Sequence, residues 1–272
     1  MANVLDIDDY DLREARAIVT AFGTERFGYI VTPNVDHVIR HYNDPEFRAV
    51  YAHAAYVFLD SHFLANIVGF FKRRRHRVTC GSDLTAAVLS GVVKPNDETV
   101  LVGASAEQAQ EIRQRFGLKA LHHINPPMNF IRDEAAVESC LQAIEACSPF
   151  RFCLLAVGTP QQELIALKLK ERGIARGLTL CVGASINFIT GVEKRAPRWM
   201  QKSGFEWLFR LIRSPKRLAN RYLVRGPRIF LLLPRVELRL RRPVTVPVAK
   251  QPAPSTQPLT AITGSHSYHI QP

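Results

Sequence analysis

No two of the five cysteines, Cys80, Cys140, Cys147, Cys153 and Cys181, stand in a CxxC pair, and their number is odd. That excludes paired-thiol zinc ribbons and argues against a secreted disulfide framework, so reduced and mostly buried thiols are expected. Neither GxGxxG nor GxxxxGK(S/T) occurs, which removes the usual dinucleotide and P-loop phosphate cradles. No stretch approaches the roughly 20 consecutive apolar residues of a membrane span. The run IFLLL, residues 229–233, is far shorter and stops at Pro234. The opening MANVLDIDDYDLREA is acidic and has no basic flank or apolar run of a signal peptide, so a cytoplasmic location is expected. Any contact with a membrane is then expected from its surface.

Acid is scarce in one region. Between Val192 and Arg242 fifteen lysines and arginines face only Glu193, Glu206 and Glu237, a surplus equal to the whole formal net charge of +12. The remaining chain is neutral overall, so an anionic partner is expected to meet this segment. Both tryptophans, Trp199 and Trp207, fall in it, with Phe205, Leu208, Leu211, Ile212, Leu218, Tyr222 and Leu223 at helical intervals between the arginines. Apolar residues flanked by arginines are the pattern of an interfacial helix assembly, and arginine adds bidentate donors for phosphate. Nucleic acid, an anionic membrane surface and a phosphorylated lipid are the three candidate partners of this segment.

With 272 residues, 47% of them hydrophobic, the chain can bury a full core. Short apolar runs alternate with helical patterns: GYIVT (28–32), YVFLD (56–60), TVLVGAS (99–105), LKALHHI (118–124), RFCLLAVG (151–158) and LTLCVGAS (178–185). The alternation predicts an α/β, Rossmann-like fold with a mostly parallel sheet and helices on both faces. Strands are expected to cease after Gly191. The expected division is therefore a core over 1–191 able to fold alone, a basic helical appendage over 192–242, and a disordered Pro/Ser/Thr-rich tail over 243–272.

Ligands of such sheets bind at the carboxyl ends of strands, where Thr32, Asn34, Asp60, Gly103, Gly158 and Gly183 are expected. The turns VGASAEQA at Gly103 and VGTPQQE at Gly158 precede helices whose first amides could hold a diphosphate, or they are ordinary tight turns. Asp60 could accept a proton from a sugar hydroxyl, but by itself it reads first as an N-cap of the following helix, as Ser61 also does. His37 and His41, one helical turn apart, have no evident third metal ligand and are expected on a partly exposed helix face. His122 and His123 point to opposite faces of a strand.

Together the motifs resemble the WecG/TagA/CpsF family of bacterial glycosyltransferases from about Gly28 to Leu233. The resemblance is carried by TPN (32–34), LDS (59–61), VTCGSDL (78–84), VGTPQQE (157–163), VGASINFITG (182–191) and, above all, KRAPRWMQKSGFEWLFRL and PKRLANRYL. It implies an inverting, metal-independent transfer without a cofactor, from a UDP-sugar to a polyprenyl-diphosphate-linked sugar at the inner membrane face. The polymers would be wall teichoic acid linkage units, enterobacterial common antigen or exopolysaccharides. It also implies Asp60 as catalytic base beside Thr32, and Asn34, Gly103, Gly158, Gln162, Glu163 and Asn187 around the donor. Arg210, Arg217 and Arg221 would bind the phosphates of the lipid acceptor. Ser61, His62 and Asn187 depart from the family's usual residues, Asn187 standing where an acid is common. N-acetylmannosamine, its uronic acid and glucose all remain as donors, and the oligomeric state is open. The rival reading is a non-enzymatic membrane- or nucleic-acid-binding module that uses the basic segment alone; it gives the strand-end polar residues no task.

Overall fold

The computed structural model describes residues 3–241. Its strands are β1 (Asn3–Ile7), β2 (Phe27–Val31), β3 (Tyr56–Val57), β4 (Thr99–Val102), β5 (Leu121–Ile124), β6 (Phe152–Leu155), β7 (Gly177–Cys181) and β8 (Val236–Leu240). Strands β2 to β7 form one parallel sheet in the order β3-β2-β7-β6-β4-β5. The expected α/β architecture is thus present, and each apolar run of the sequence supplies one strand.

Both faces of the sheet are covered, which explains why its strands lack polar alternation. The pleat sends neighbouring residues to opposite sides: Tyr29 and Val31 join one apolar cluster and Ile30 the other. Val100 and Val102 are divided from Leu101 in the same way, and Cys153 and Leu155 from Phe152 and Leu154. Helices Pro45–His53, Glu134–Glu145 and Gln161–Arg172 close the first face. Helices Leu12–Ala21, Gly81–Gly91 and Ala106–Phe116 close the second. Local signals fix the helix ends: Asp11 and Ser105 form capping boxes, while Gly117 and Gly173 end their helices in the left-handed conformation.

Strands do not cease after Gly191. Residues 236–240 form β8, which pairs in parallel with β1 through the register Asn3↔Val236 to Ile7↔Leu240. The sequence VELRL has period two, with Val236 and Leu238 buried and Glu237 and Arg239 exposed, and Arg239 donates through Nε and Nη2 to the two carboxylate oxygens of Asp6. Ile229, Leu233, Val236 and Leu238 all belong to the first apolar cluster. Residues 229–238 thus supply part of the core that residues 1–191 were expected to hold by themselves. The expected tail over 243–272 lies outside the described residues.

Helices Arg198–Ser203, Glu206–Arg213 and Pro215–Ala219, a π-helical turn Asn220–Arg225 and helix Arg228–Leu232 make up the basic segment. It is tied to the body through helix His62–Lys72, where Phe63 meets Trp207 and Phe230 edge-on and Trp207 leans on Tyr222. Among the described residues no helix is long and apolar enough to cross a membrane.

Candidate active site

The carboxyl ends of β3, β2, β7 and β6 open into a cleft of about 800 Å³, roofed by the basic segment. That size suits a small organic ligand. Thr32, Asn34, Asp60, Gly158, Gln162 and Asn187 line it from the sheet side, and Arg210, Arg217 and Arg221 from the roof. Two expected residues stand apart. Gly103 is not on the cleft wall: its N–H donates to Ile124 O, and a Cβ there would press Val157 Cγ1 at 2.8 Å, so it lets two turns pack. Glu163 is fully buried behind the wall rather than on it.

Asp60 follows β3 and is fixed by its own backbone, whose N–H donates to Pro33 O at 2.9 Å. Its Oδ1 accepts the N–H of Gly81, the first residue of helix Gly81–Gly91, at 2.9 Å. Ser61, not Asp60, caps the following helix, accepting from Leu64 N. Burial pushes the Asp60 carboxyl up to about 7, with the Gly81 hydrogen bond opposing. A carboxyl with that affinity can take a proton near neutral pH. Thr32 stands beside this pair, and a Cβ on residue 81 would come within 2.7 Å of Thr32 Oγ1. The glycine of VTCGSDL is therefore what lets Thr32, Asp60 and a helix N-terminus share one corner.

Behind the wall lies a buried polar cluster. His37 Nδ1 accepts from Asn34 N at 3.2 Å, so Nε2 carries the hydrogen and meets Glu163 Oε1 at 3.2 Å. Thr159 Oγ1 lies 2.8 Å from His37 Nε2 and 3.1 Å from Glu163 Oε1. Gln162 donates to the same Oε1 and accepts from Gly183 N. The turns after β2, β6 and β7 are locked together through these side chains. His37 and His41 are both buried, which corrects the expected half-exposed face: helix Val35–Asn43 is sandwiched between helix Pro45–His53 and the returning basic segment. Burial also pulls the His41 imidazole down to about 4. His123 bonds Gly103 O and the exposed His122 pairs with Glu98 outside the cleft. Among the described residues no cluster of three His, Cys, Asp or Glu side chains is placed to hold a metal ion.

The roof brings four arginines, Arg210, Arg217, Arg221 and Arg225, to the cleft wall, where Arg40 of helix Val35–Asn43 joins them beside the carboxylates of Asp36 and Glu193. Asp36 faces Arg40 at 3.2 Å, Arg225 at 3.8 Å and Arg221 at 4.0 Å. Burial alone would raise its carboxyl, but Arg221 and Arg40 outweigh that and hold it low. Glu193 meets Arg217 at 2.9 Å and Arg210 at 3.7 Å and accepts from Asn187 Nδ2 at 2.9 Å. Here too burial pushes up, and the bonds from Asn187 and Arg217 prevail. The Nε–H groups of Arg210, Arg221 and Arg225 and the indole N–H of Trp207 are buried with no hydrogen-bond partner among the described residues. The side chains of Arg210, Arg221 and Arg225 nonetheless line the cleft, and guanidinium groups suit the oxygens of a phosphate. Arg221 also donates to Asn34 Oδ1, already the acceptor for Asp36 N, which leaves Asn34 its amide nitrogen for a ligand.

Arg40, Arg225, Asp36 and Glu193 were not assigned to the site from sequence, nor was the contact of His37 with Thr159 and Glu163. One signal was present: residues 217, 221 and 225 recur every four positions and so share a helix face. Arg195 was also missed. It spans the corner by pairing with Asp83 of VTCGSDL, one bond being 3.1 Å, and lies 3.9 Å from Glu206.

A parallel α/β sheet with an acid and an arginine wall at its carboxyl edge is the frame of a group-transfer enzyme. The chain matches the model of the glycosyl transferase WecG/TagA/CpsF family over residues 2–243 of its 272, and it belongs to that family. It is accordingly a glycosyltransferase, of a family that acts in cell-surface polysaccharide synthesis.

Proposed function

We propose that the protein transfers a hexose from a UDP-sugar to a polyprenyl-diphosphate-linked acceptor, with inversion and without a metal ion, while docked on the inner face of the plasma membrane. The observation that carries this reading is the pairing of a proton-accepting Asp60 with the arginine wall across one cleft. Asp60 removes the proton from the acceptor hydroxyl as its oxygen bonds to the anomeric carbon. The bond from that carbon to the diphosphate oxygen breaks on the opposite side, and UDP leaves with the electron pair. Thr32 and the Asn34 amide orient the sugar. Gly158 and Gln162 shape the nucleotide side, with Glu163 acting through Gln162, and Asn187 positions Glu193. Arg210, Arg217 and Arg221, joined by Arg225, neutralise phosphate charge, the task a cation would otherwise perform.

The basic segment would reach the bilayer with Trp199, Ile212, Leu223 and Leu231, all well exposed. Exposed apolar side chains among arginines favour a lipid surface over nucleic acid. A screen of UDP-N-acetylmannosamine, its uronic acid and UDP-glucose, each with a polyprenyl-diphosphate-sugar acceptor and with or without EDTA, tests the proposal. A chelator-insensitive product from one donor supports it, and no transfer from any UDP-sugar contradicts it.

A further inference from the structure

Helix His62–Lys72 begins at the lip of the cleft, where Ser61, His62 and Phe63 line the wall, and runs away from it. Its eleven residues span about 15 Å. Leu64, Ala65 and Val68 bury one side of the helix. At the far end Phe70 and Phe71 are 80% and 61% exposed, their rings in edge contact at 5.4 Å. Two adjacent phenylalanines left in water are not explained by the core, which the helix already reaches through other positions.

The chain then reverses sharply. Arg73 takes the left-handed conformation with φ 52°, and the Arg74 carbonyl returns to within 3.1 Å of where a Cβ on Gly69 would lie. The reversal gathers Lys72, Arg73, Arg74 and Arg75 around the phenylalanine pair, all four exposed. No carboxylate among the described residues forms an ion pair with any of them, whereas Arg77, just beyond, is paired with Glu14. An exposed aromatic pair ringed by unpaired bases matches an anionic lipid surface in both terms: the rings enter the headgroup boundary and the bases meet its charge.

We propose that Phe70–Phe71 with Lys72–Arg75 is a second membrane contact, separate from the basic carboxyl-terminal segment. The occupant is an anionic bilayer. Two contacts joined by a rigid helix fix the tilt of the protein, and so the height at which the cleft mouth meets a lipid-borne acceptor. The inference rests on the membrane-docked reading above, and its test separates the two.

The full chain is sedimented with phosphatidylcholine vesicles, with and without phosphatidylglycerol, at low and high salt. It is compared with Phe70→Ser/Phe71→Ser, with Lys72→Gln/Arg74→Gln/Arg75→Gln, and with Ile212→Ser/Leu231→Ser in the carboxyl-terminal segment. All substituted side chains are exposed, so circular dichroism and transfer to a water-soluble short-chain acceptor should match wild type. The phenylalanine variant should lose about tenfold in vesicle affinity at either salt, the scale of withdrawing part of two aromatic side chains from lipid. The base variant should lose a similar factor only with phosphatidylglycerol at low salt. Unchanged vesicle binding in both, with a loss in the Ile212/Leu231 variant, overturns this inference and leaves the docking reading standing. Failure of the wild-type chain to bind vesicles overturns both. Two other results also overturn it: a drop in solution mass from dimer to monomer in the phenylalanine variant with vesicle binding intact, or nucleic-acid binding through the bases without lipid preference.

Discussion

Asp60 Oδ1 accepts the Gly81 N–H at 2.9 Å, which places a carboxyl raised to about 7 at the amino end of a helix. If Asp60 is the base, it must be ionised to act. The transfer rate at saturating donor should rise with pH through about 7 and level off above it. A profile flat between pH 5.5 and 8.5, measured under conditions where chemistry limits turnover, would remove Asp60 from that role.

The same shift has a cost to the fold. An aspartate unfolded at the ordinary 3.8 and raised to about 7 when folded favours the folded state below about pH 4, an advantage lost as pH rises to about 7. Asp60→Asn keeps an oxygen for Gly81 and carries no charge. The variant should match wild type in unfolding free energy from denaturant titration near pH 4 and exceed it by about 4 kcal/mol at pH 8. A variant less stable at pH 8 would mean that the carboxylate is held by attractions not present in this site.

Gly81→Ala puts a methyl against Thr32 Oγ1. The single variant should lose about 1–3 kcal/mol of stability through overpacking, and about tenfold or more in turnover as the Asp60 corner shifts. Adding Thr32→Ala should restore much of the stability but not the turnover, because the hydroxyl is then gone. A double-mutant cycle by thermal melts and initial rates checks this.

Asn187 donates to Glu193 Oε1, which an aspartate at 187 could not do. Asn187→Asp would set two carboxylates against each other and draw Arg210 or Arg217 toward the new charge. The Michaelis constant for donor or acceptor should rise several-fold at low ionic strength and partly recover with salt. No change in either constant would make the substitution neutral to the site.

The sheet was legible because each strand is a short apolar run bounded by turn residues, and the strand-end residues Thr32, Asn34, Asp60 and Gly158 followed from the parallel topology. β1 and β8 were not, because they pair only with each other, from opposite ends of the described chain, so no neighbouring element announces either. The His37–Glu163 contact spans 126 positions and Arg221–Asn34 spans 187, so no local spacing announces them. The place of Gly103 away from the cleft wall was not legible, because a glycine needed for turn packing and one needed for phosphate look alike in sequence. Phe70 to Arg75 went unremarked because their meaning lies in being left exposed.

Ending the chain at Gly191 should unfold it rather than liberate a core, since Ile229, Leu233, Val236 and Leu238 are buried in the first apolar cluster. Their loss removes several kcal/mol of burial. Circular dichroism and proteolysis of residues 1–191 should show a loose, readily cleaved chain, and a cooperative thermal transition near that of the full protein would contradict the shared core.

Whether Asp60 removes the acceptor proton while arginines, not a cation, hold the diphosphate is tested most directly by one transfer assay. Radiolabelled sugar is moved from the preferred UDP-donor to a polyprenyl-diphosphate-sugar in excess EDTA, for wild type and Asp60→Asn side by side. Undiminished wild-type product with inverted anomeric configuration is expected, together with a loss of about a hundredfold or more in the folded variant. Near-normal product from Asp60→Asn, or wild-type activity lost in EDTA and restored by magnesium or manganese, would contradict that division of labour.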